Sequence, residues 1–249
     1  MSQRNNQSVE RAFKILETIA SNEGIGVSDI AREVELNKST AFGLIKTLDN
    51  LGYIFKNEDT DKYQLTYKIR NLAEEGADGH EILSYAKPYL NKLSEKYGEI
   101  IHFVAASEEA VFYLEKIEST KAIRVYTGIG SSMPMYCTGV GKAILSTRSE
   151  EEVREYAKNV GLEKITGNTI TDIEELIKDL KLTKKRGYGI DDGENQEELY
   201  CIGVPIKNKK GEGVYALSIS MPKFRKDQYD FDELIADLLY AKEGIEKFY

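Results

Sequence analysis

Three short amphipathic segments followed by two aromatic-rich segments fill the N-terminal part of the chain, and this order restricts the possible fold more than any other feature. Apolar residues recur at three- and four-residue steps in residues 8–21, 27–34 and 38–51, which predicts three helices. The predicted buried side of the first helix comprises Val9, Ala12, Phe13, Leu16, Ile19 and Ala20. Residues 53–56 and 62–65 flank a polar turn and predict a β-hairpin. Three helices followed by a hairpin are typical of a winged helix-turn-helix domain.

The third predicted helix has a polar outer side that suits the major groove of DNA. Hydroxyl groups can donate to phosphate, lysines add positive charge, and an exposed phenyl ring can contact a thymine methyl group. The candidate DNA-binding residues are Lys38, Ser39, Thr40, Phe42, Lys46 and Thr47. The alternative is a small helical subdomain without this role, because any surface helix exposes a polar side. The acidic hairpin tip, which contains Glu58, Asp59 and Asp61, favours that alternative because it would repel phosphate.

The remainder of the chain predicts a larger α+β domain. Residues 66–75 and 80–97 predict helices on either side of a Gly-rich stretch, and Pro88 predicts a kink or break in the second helix. Further strands are predicted at 100–106, 110–117, 122–127, 200–207 and 214–220. Further helices are predicted at 138–146, 149–160, 171–187 and 227–248, with capping sequences beginning at Ser149 and Thr171. We predict a winged helix-turn-helix domain in residues 1–76 and a domain of mainly antiparallel strands in residues 77–249.

The charge and the cysteines limit the environment of the protein. The formal net charge is −8, so DNA binding requires a local patch rather than a generally basic surface. The N-terminal sequence is polar, and no apolar stretch approaches the roughly 20 residues of a membrane span. We therefore expect a cytoplasmic protein with no membrane association, and its two cysteines as free thiols. We also expect no cofactor and no metal, because Cys137, Cys201, His80 and His102 lack the close spacing of a zinc site. His102 lies in an apolar strand and is interpreted as a core residue.

Five motifs, taken in order, resemble the IclR family of bacterial transcriptional regulators. Residues 8–16 resemble the first helix of that family, and residues 39–53 resemble its recognition helix and the following strand. Residues 133–145, 187–195 and 201–206 resemble three motifs of its second domain. The resemblance implies a linker helix, a GAF-like mixed α/β effector-binding domain, and a homodimer or dimer of dimers. It also implies control of catabolic genes in response to small organic acids or aromatic compounds.

Two features of this sequence bear on how far the resemblance extends. Gly43 stands where the family often has a basic residue, so a phosphate or base contact is missing there and operator preference is not carried over. In the second domain, Gly139, Val140 and Gly141 open a short predicted helix. Free N–H groups at a helix N-terminus attract anions and glycines admit a ligand close to the backbone, which favours a carboxylate ligand.

The resemblance places more residues around this candidate effector pocket. The pocket would be lined by Ala122, Val125, Gly139, Val140, Asp191, Leu199, Cys201, Ser218 and Ser220. The alternative for the glycine-containing segment is an ordinary capped helix without a ligand. The acidic residues Asp191, Asp192 and Glu194 are explained either as an acid–base group or, more simply, as a polar turn.

The sequence thus predicts a ligand-responsive transcriptional regulator and not an enzyme. Its predicted partners are double-stranded operator DNA and a small organic acid, and its predicted action is repression of catabolic genes. An enzyme is one alternative, although only the acidic cluster and the two cysteines support it. A second alternative is a protein-binding adaptor, for which the acidic hairpin tip and Gly43 are the motivation.

Overall fold

A computed structural model describes residues 6–22, 24–76, 79–121 and 128–248, without the side chains of residues 70 and 73–80. The chain divides into two compact units, Met1–Ala77 and Asp78–Tyr249. Each unit has its own hydrophobic core. The strand predicted at 122–127 lies outside the described residues.

The first unit contains the predicted three helices and hairpin. The helices α1 (Gln7–Ala20), α2 (Val27–Glu33) and α3 (Lys38–Asn50) precede strands β1 (Ile54–Asn57) and β2 (Lys62–Leu65). The two strands pair antiparallel, and helix α4 (Tyr67–Gly76) follows them. The core of the unit is formed mainly by isoleucines from the three helices and β1, namely Ile15, Ile19, Ile30, Ile45 and Ile54. This order confirms the predicted winged helix-turn-helix.

The predicted buried side of α1 is partly wrong. Ile15 and Ile19 are buried one turn apart, whereas Val9 and Phe13 expose 52% and 60% of their surface. Ala20 is exposed as well. In so small a unit, only a narrow stripe of α1 contacts the core. The stripe that contains Ile15 and Ile19 faces the core.

The second unit is built on an antiparallel sheet. In its described part the strands are β3 (Ile100–Ala106), β4 (Ala110–Ile117), β5 (Ser132–Pro134), β6 (Gly189–Asp192), β7 (Leu199–Lys207) and β8 (Gly213–Pro222). Their order across the sheet is β5-β4-β3-β8-β7-β6, and all neighbours are antiparallel. The predicted α+β class is confirmed. Strands β5 and β6 were not predicted, because three or four residues are too few for an alternating pattern to be recognised.

Helices cover both faces of this sheet. Helices α5 (Gly79–Tyr97) and α9 (Phe231–Glu246) pack on one face and share a core with β3, β7 and β8. The other face is covered by α6 (Gly139–Leu145), α7 (Glu150–Val160) and α8 (Ile173–Arg186). Because strand side chains alternate, His102, Ser218 and Ser220 point toward α6 while their strand neighbours pack against α5 and α9.

Several predicted helix ends need correction. Ser149 caps α7 in a capping box, as the sequence predicts. Asp172 rather than Thr171 caps α8, because its carboxylate accepts from the N–H groups of two following residues at 2.9 and 3.0 Å. α5 continues through Pro88, so the predicted break does not occur. α9 begins later than predicted, because a 3-10 helix occupies Lys223–Gln228.

Candidate functional site

Helix α3 is held by a cap at its start and by a buried side along its length. Asn37 Oδ1 accepts hydrogen bonds from the backbone N–H of Thr40 and from Ser39 Oγ, both at 2.8 Å. This cap satisfies one of the N–H groups that a helix leaves unpaired at its start. The buried side of the helix comprises Ala41, Ile45 and Leu48. The opposite side of α3 therefore faces outward within this unit.

The six candidate DNA-binding residues all lie away from the buried side of α3. Five are exposed and Thr40 is half-buried, the exposed ones being Lys38, Ser39, Phe42, Lys46 and Thr47. Phe42 exposes 51% of its surface, so its ring is open to a partner. Ser39 donates to Asn37, and Thr47 Oγ1 donates to the carbonyl oxygen of Gly43 at 2.9 Å. Either hydroxyl must give up this local bond before it can donate to a phosphate.

Gly43 lies in the middle of the outward side of α3. A Cβ atom added there would meet no heavy atom within 4 Å. Packing therefore does not require a glycine at this position. Gly43 leaves the outward side of α3 without a side chain at its middle.

The hairpin tip is acidic, as the sequence indicates. Lys56 Nζ lies 2.5 Å from Asp61 Oδ1, so one carboxylate of the tip is paired with a lysine. Asn57 Oδ1 accepts from the N–H groups of Asp59 and Thr60, which fixes the turn. The tip thus remains a poor surface for phosphate.

One cavity in the second unit brings together the candidate effector-binding residues that the structure describes. It is lined by Gly139, Val140, Asp191, Leu199, Cys201, Ser218 and Ser220, seven of the nine predicted. The remaining two, Ala122 and Val125, lie outside the described residues. The strand register explains the grouping, because Cys201 pairs with Ser220 across β7 and β8. The cavity volume is about 20 Å³, which is the space of one water molecule.

Sequence reasoning missed several other residues that line this cavity. They are His102, Tyr113, Thr138, Asn195 and Gln196. His102 is buried, as its interpretation as a core residue requires, but it also faces the cavity. The signal was available in the alternation of β3, since His102 pairs with Ser218 on the neighbouring strand and shares its side of the sheet.

His102 is a neutral group in this cavity. Burial lowers the pKa of its imidazole to about 3, and the nearby charge of Lys116 adds to the effect. Its Nδ1 lies 3.3 Å from Ser220 Oγ, and its ring meets the ring of Tyr113 edge-on at a centroid distance of 4.9 Å. Burial also raises the pKa of the Cys201 thiol, so that side chain stays protonated.

Asp191 is the acidic group of the cavity. Its carboxylate accepts from the N–H groups of Glu194 at 2.7 Å and Asn195 at 3.4 Å. Burial raises the pKa of Asp191 to about 6, although these hydrogen bonds and Lys142 act in the opposite direction. The described lining contains no lysine or arginine. A ligand anion would therefore meet neutral donors and one carboxyl group.

A buried ionic cluster lies beside the cavity and was not predicted. Lys142 exposes only 2% of its surface, contacts Glu194 closely, and lies 3.1 Å from Asp179 Oδ2. The carbonyl oxygen of Glu194 accepts from the hydroxyls of Thr166 and Thr169. Burial raises the pKa of Glu194 to about 7 despite the nearby lysine. The cluster thus fastens the loop between β6 and β7, which forms one wall of the cavity, to α6 and α8.

The glycines of α6 have a packing role. A Cβ on Gly139 would lie 3.1 Å from the carbonyl oxygen of Cys201, and one on Gly141 would lie 2.3 Å from Cα of Met135. Thr138 Oγ1 already accepts from the N–H of Gly141 at 3.1 Å. The close approach of α6 to β7 therefore explains Gly139, and the close approach of the Met135 backbone explains Gly141, without a ligand.

The described residues contain no cluster of three His, Cys, Asp or Glu side chains arranged to hold a metal ion. Among the described helices, none is both long enough and apolar enough to span a bilayer.

Comparison with known proteins assigns both units. The IclR helix-turn-helix domain matches residues 8–58, and the bacterial transcriptional regulator IclR C-terminal domain matches residues 75–247. The chain belongs to the IclR family. It is a DNA-binding, ligand-responsive transcriptional regulator, and relatives that it matches are named HTH-type transcriptional regulators.

Relatives and solved structures cover nearly all of this IclR-family regulator. The HTH-type transcriptional regulator KdgR of Dickeya chrysanthemi is 33% identical over 238 residues, which are 96% of this chain and 78% of the relative. The crystal structure of the Thermotoga maritima IclR matches with a TM-score of 0.81 at 29% identity, covering 96% of this chain and 97% of that one. An IclR homologue of Microbacterium hydrocarbonoxydans, solved with 4-hydroxybenzoate, has a TM-score of 0.83 at 23% identity, covering 97% and 98%. At that identity it shows the fold alone.

Proposed function

We propose that this regulator reads operator DNA with the outward side of α3 and senses a small organic acid in the cavity of its second unit. The observation that supports the proposal best is the convergence of seven candidate residues from α6, β6, β7 and β8 on one cavity. The exposure of the polar side of α3 supports the first part of the proposal, that α3 reads DNA.

On the DNA side, the candidate residues divide into three roles. Lys38 and Lys46 neutralise phosphates, the hydroxyls of Ser39, Thr40 and Thr47 bind the sugar–phosphate backbone or base edges, and Phe42 contacts a thymine methyl group. Lys46→Ala should weaken binding to all duplexes and reduce the slope of log affinity against log salt by about one. A slope equal to that of the wild type would exclude the phosphate role of Lys46.

On the effector side, the cavity suits a compact organic acid whose oxygens accept hydrogen bonds. Ser218, Ser220 and Thr138 offer hydroxyls, and Leu199 and Val140 offer apolar contact. Because the cavity holds about one water molecule, an organic acid must displace part of its wall on entry. By resemblance, Ala122 and Val125 belong to that wall.

Binding to DNA in the presence and absence of acids tests both halves. The probe is the duplex upstream of the gene for this protein, titrated at low salt with glycolate, pyruvate, succinate or 4-hydroxybenzoate. We expect at least one acid to change the affinity, and release from DNA would support repression. Absence of any retardation under all these conditions would count against the DNA-reading role.

We further propose that the protein acts in the cytoplasm, where operator DNA is found, and that it is not an enzyme. Ser220 and His102 form the hydroxyl–imidazole contact that hydrolases use. An imidazole with a pKa of about 3 is a weak base at neutral pH, which opposes such a role. Steady hydrolysis of p-nitrophenyl acetate that is lost in Ser220→Ala would contradict this part of the proposal.

A further inference from the structure

The C-terminal end of the DNA-reading helix is bonded to the start of α4. Leu51 is the C-cap of α3, and its carbonyl oxygen accepts from Lys68 Nζ at 2.8 Å. The carbonyl oxygen of Gly52 accepts from Thr66 Oγ1 at 2.6 Å. The residues that end α3 are therefore bonded to two side chains that belong to, or directly precede, α4.

Further contacts make this junction a small network. The N–H of Thr66 donates to the carbonyl oxygen of Tyr53 at 2.9 Å, and Thr66 Oγ1 accepts from the N–H of Lys68 at 3.2 Å. The Lys68 ammonium also lies 4.8 Å from the centre of the Tyr53 ring. The Lys68 ammonium thus contacts both the C-terminal end of α3 and the face of the Tyr53 ring.

The position of Lys68 has an electrostatic reason. The last carbonyl groups of a helix have no partner within the helix, and they form the negative end of its dipole. A cation that donates to them satisfies an orphan acceptor and interacts favourably with the dipole. Lys68 is the described cation that does so at α3.

We propose that Thr66 and Lys68 are positioning residues for DNA reading, which fix α4 to the end of α3 so that the two helices turn together. The proposal rests on the DNA-reading role of α3. α4 is the last helix before the second unit begins at Asp78, so along the chain the second unit is connected to α3 through this junction. Lys68 is accordingly assigned to the junction and not to a phosphate, although it is an exposed lysine of a DNA-binding unit.

The test compares lysine variants of the full chain on two duplexes. One duplex is enriched by the wild-type protein from a random-sequence pool, and the other is the same duplex with its base order scrambled. Lys68→Met and Thr66→Val remove the side-chain hydrogen bonds of the junction and leave the backbone bond from Thr66 to Tyr53 in place. Lys46→Met is the comparison for a phosphate contact, and Lys209→Met, on an exposed turn of the second unit, is the matched control.

Lys68→Met and Thr66→Val should each lower affinity for the enriched duplex roughly three- to tenfold, the range expected when a hydrogen bond of this kind is lost. Affinity for the scrambled duplex should change little, and the salt slope should remain that of the wild type. Lys46→Met should instead weaken both duplexes and reduce the slope by about 0.9. Lys68→Arg, which keeps a charged donor, should restore discrimination between the duplexes.

Three outcomes would overturn the proposal while leaving the DNA-reading role of α3 intact. A salt slope reduced by about one in Lys68→Met would make Lys68 a phosphate contact. Equal loss on both duplexes together with a lower unfolding temperature of the first unit would make the junction merely structural. If Lys68→Met and Thr66→Val both discriminate between the two duplexes as well as the wild type does, neither residue positions α3 for DNA reading. If the wild-type protein enriches no duplex, the DNA-reading role itself fails and the proposal falls with it.

Discussion

Lys142 is a charged side chain buried inside the second unit, where an unpaired ammonium would be strongly destabilising. It is stabilised by Glu194 and Asp179, which approach it from the β6–β7 loop and from α8. Glu194 Oε2 has no hydrogen-bond partner among the described residues. The cluster is therefore short of donors, which agrees with the raised pKa of Glu194.

Lys142→Met should lower the free energy of unfolding of the second unit by about 3–5 kcal/mol, because the buried carboxylate of Glu194 loses its counter-charge and the half-buried carboxylate of Asp179 keeps only the more distant Arg186. Adding Glu194→Gln to this variant should recover part of the loss, because the second change removes one of those charges. Urea unfolding followed by tyrosine fluorescence measures both. Lys181→Met is the control, since Lys181 is exposed and its pairing with Glu150 contributes little. A loss below about 1 kcal/mol in Lys142→Met would contradict this role for the cluster.

The raised pKa of Glu194 predicts a pH dependence of stability. The folded protein keeps this proton up to about pH 7, whereas the unfolded chain releases it near about pH 4.3. Because the folded state binds the extra proton between these values, stability should fall as pH rises through this window and level off above it. Asp191, whose pKa is raised to about 6, should act in the same direction.

The difference in unfolding free energy between the wild type and Glu194→Gln isolates the contribution of Glu194. Relative to the variant, the wild type should lose on the order of 2 kcal/mol between pH 5 and 7.5. Parallel pH profiles for the two proteins would show that Glu194 titrates normally.

At the scale of elements, two helix glycines allow the effect of helix propensity on stability to be measured apart from the effect of packing. Gly43 lies on the open side of α3, and a Cβ there would contact nothing. Gly43→Ala should therefore raise the unfolding free energy of the first unit by about 1 kcal/mol. Gly141→Ala should destabilise the second unit by about 1–3 kcal/mol, because its Cβ would overlap the backbone of Met135. Thermal unfolding measures both, and a lower unfolding temperature in Gly43→Ala would contradict the open surroundings assigned to Gly43.

The order of elements could be predicted from the sequence, because helical and strand periodicities are local properties. The buried side of α1 could not, since Val9 and Phe13 are as apolar as the buried Ile15 and more than one side of the helix fits the pattern. The same limit applies to the pocket. Ser218 and Ser220 follow from the family resemblance, whereas the Lys142–Glu194 pair joins residues 52 positions apart that no local pattern connects.

At the scale of the molecule, charge is distributed unevenly along the chain. The first 72 residues contain ten basic and ten acidic residues, so the net charge of −8 belongs to the remainder. An acidic second unit repels phosphate, which lowers the affinity of one protomer for any duplex. This makes binding by two linked DNA-reading units advantageous.

We therefore expect the purified protein to be a homodimer or a dimer of dimers, with footprints on half-sites about one helical turn apart or a multiple of that distance. Analytical ultracentrifugation at micromolar concentration and nuclease footprinting measure these two properties. A monomer that protects a single isolated half-site would contradict the expected assembly.

The sensor role of the cavity is tested by the effect of an organic acid on DNA affinity, measured by fluorescence anisotropy in the wild type and in Ser220→Val. The probe is the enriched duplex, and the acids are glycolate, pyruvate, succinate and 4-hydroxybenzoate. We expect at least one acid to change the wild-type affinity at least fivefold, the lower end of the couplings of roughly 1–3 kcal/mol that are typical of allosteric proteins. In Ser220→Val, the ratio of affinities with and without that acid should fall toward one. An acid response of the same size in Ser220→Val would contradict the assignment of this cavity as the sensor.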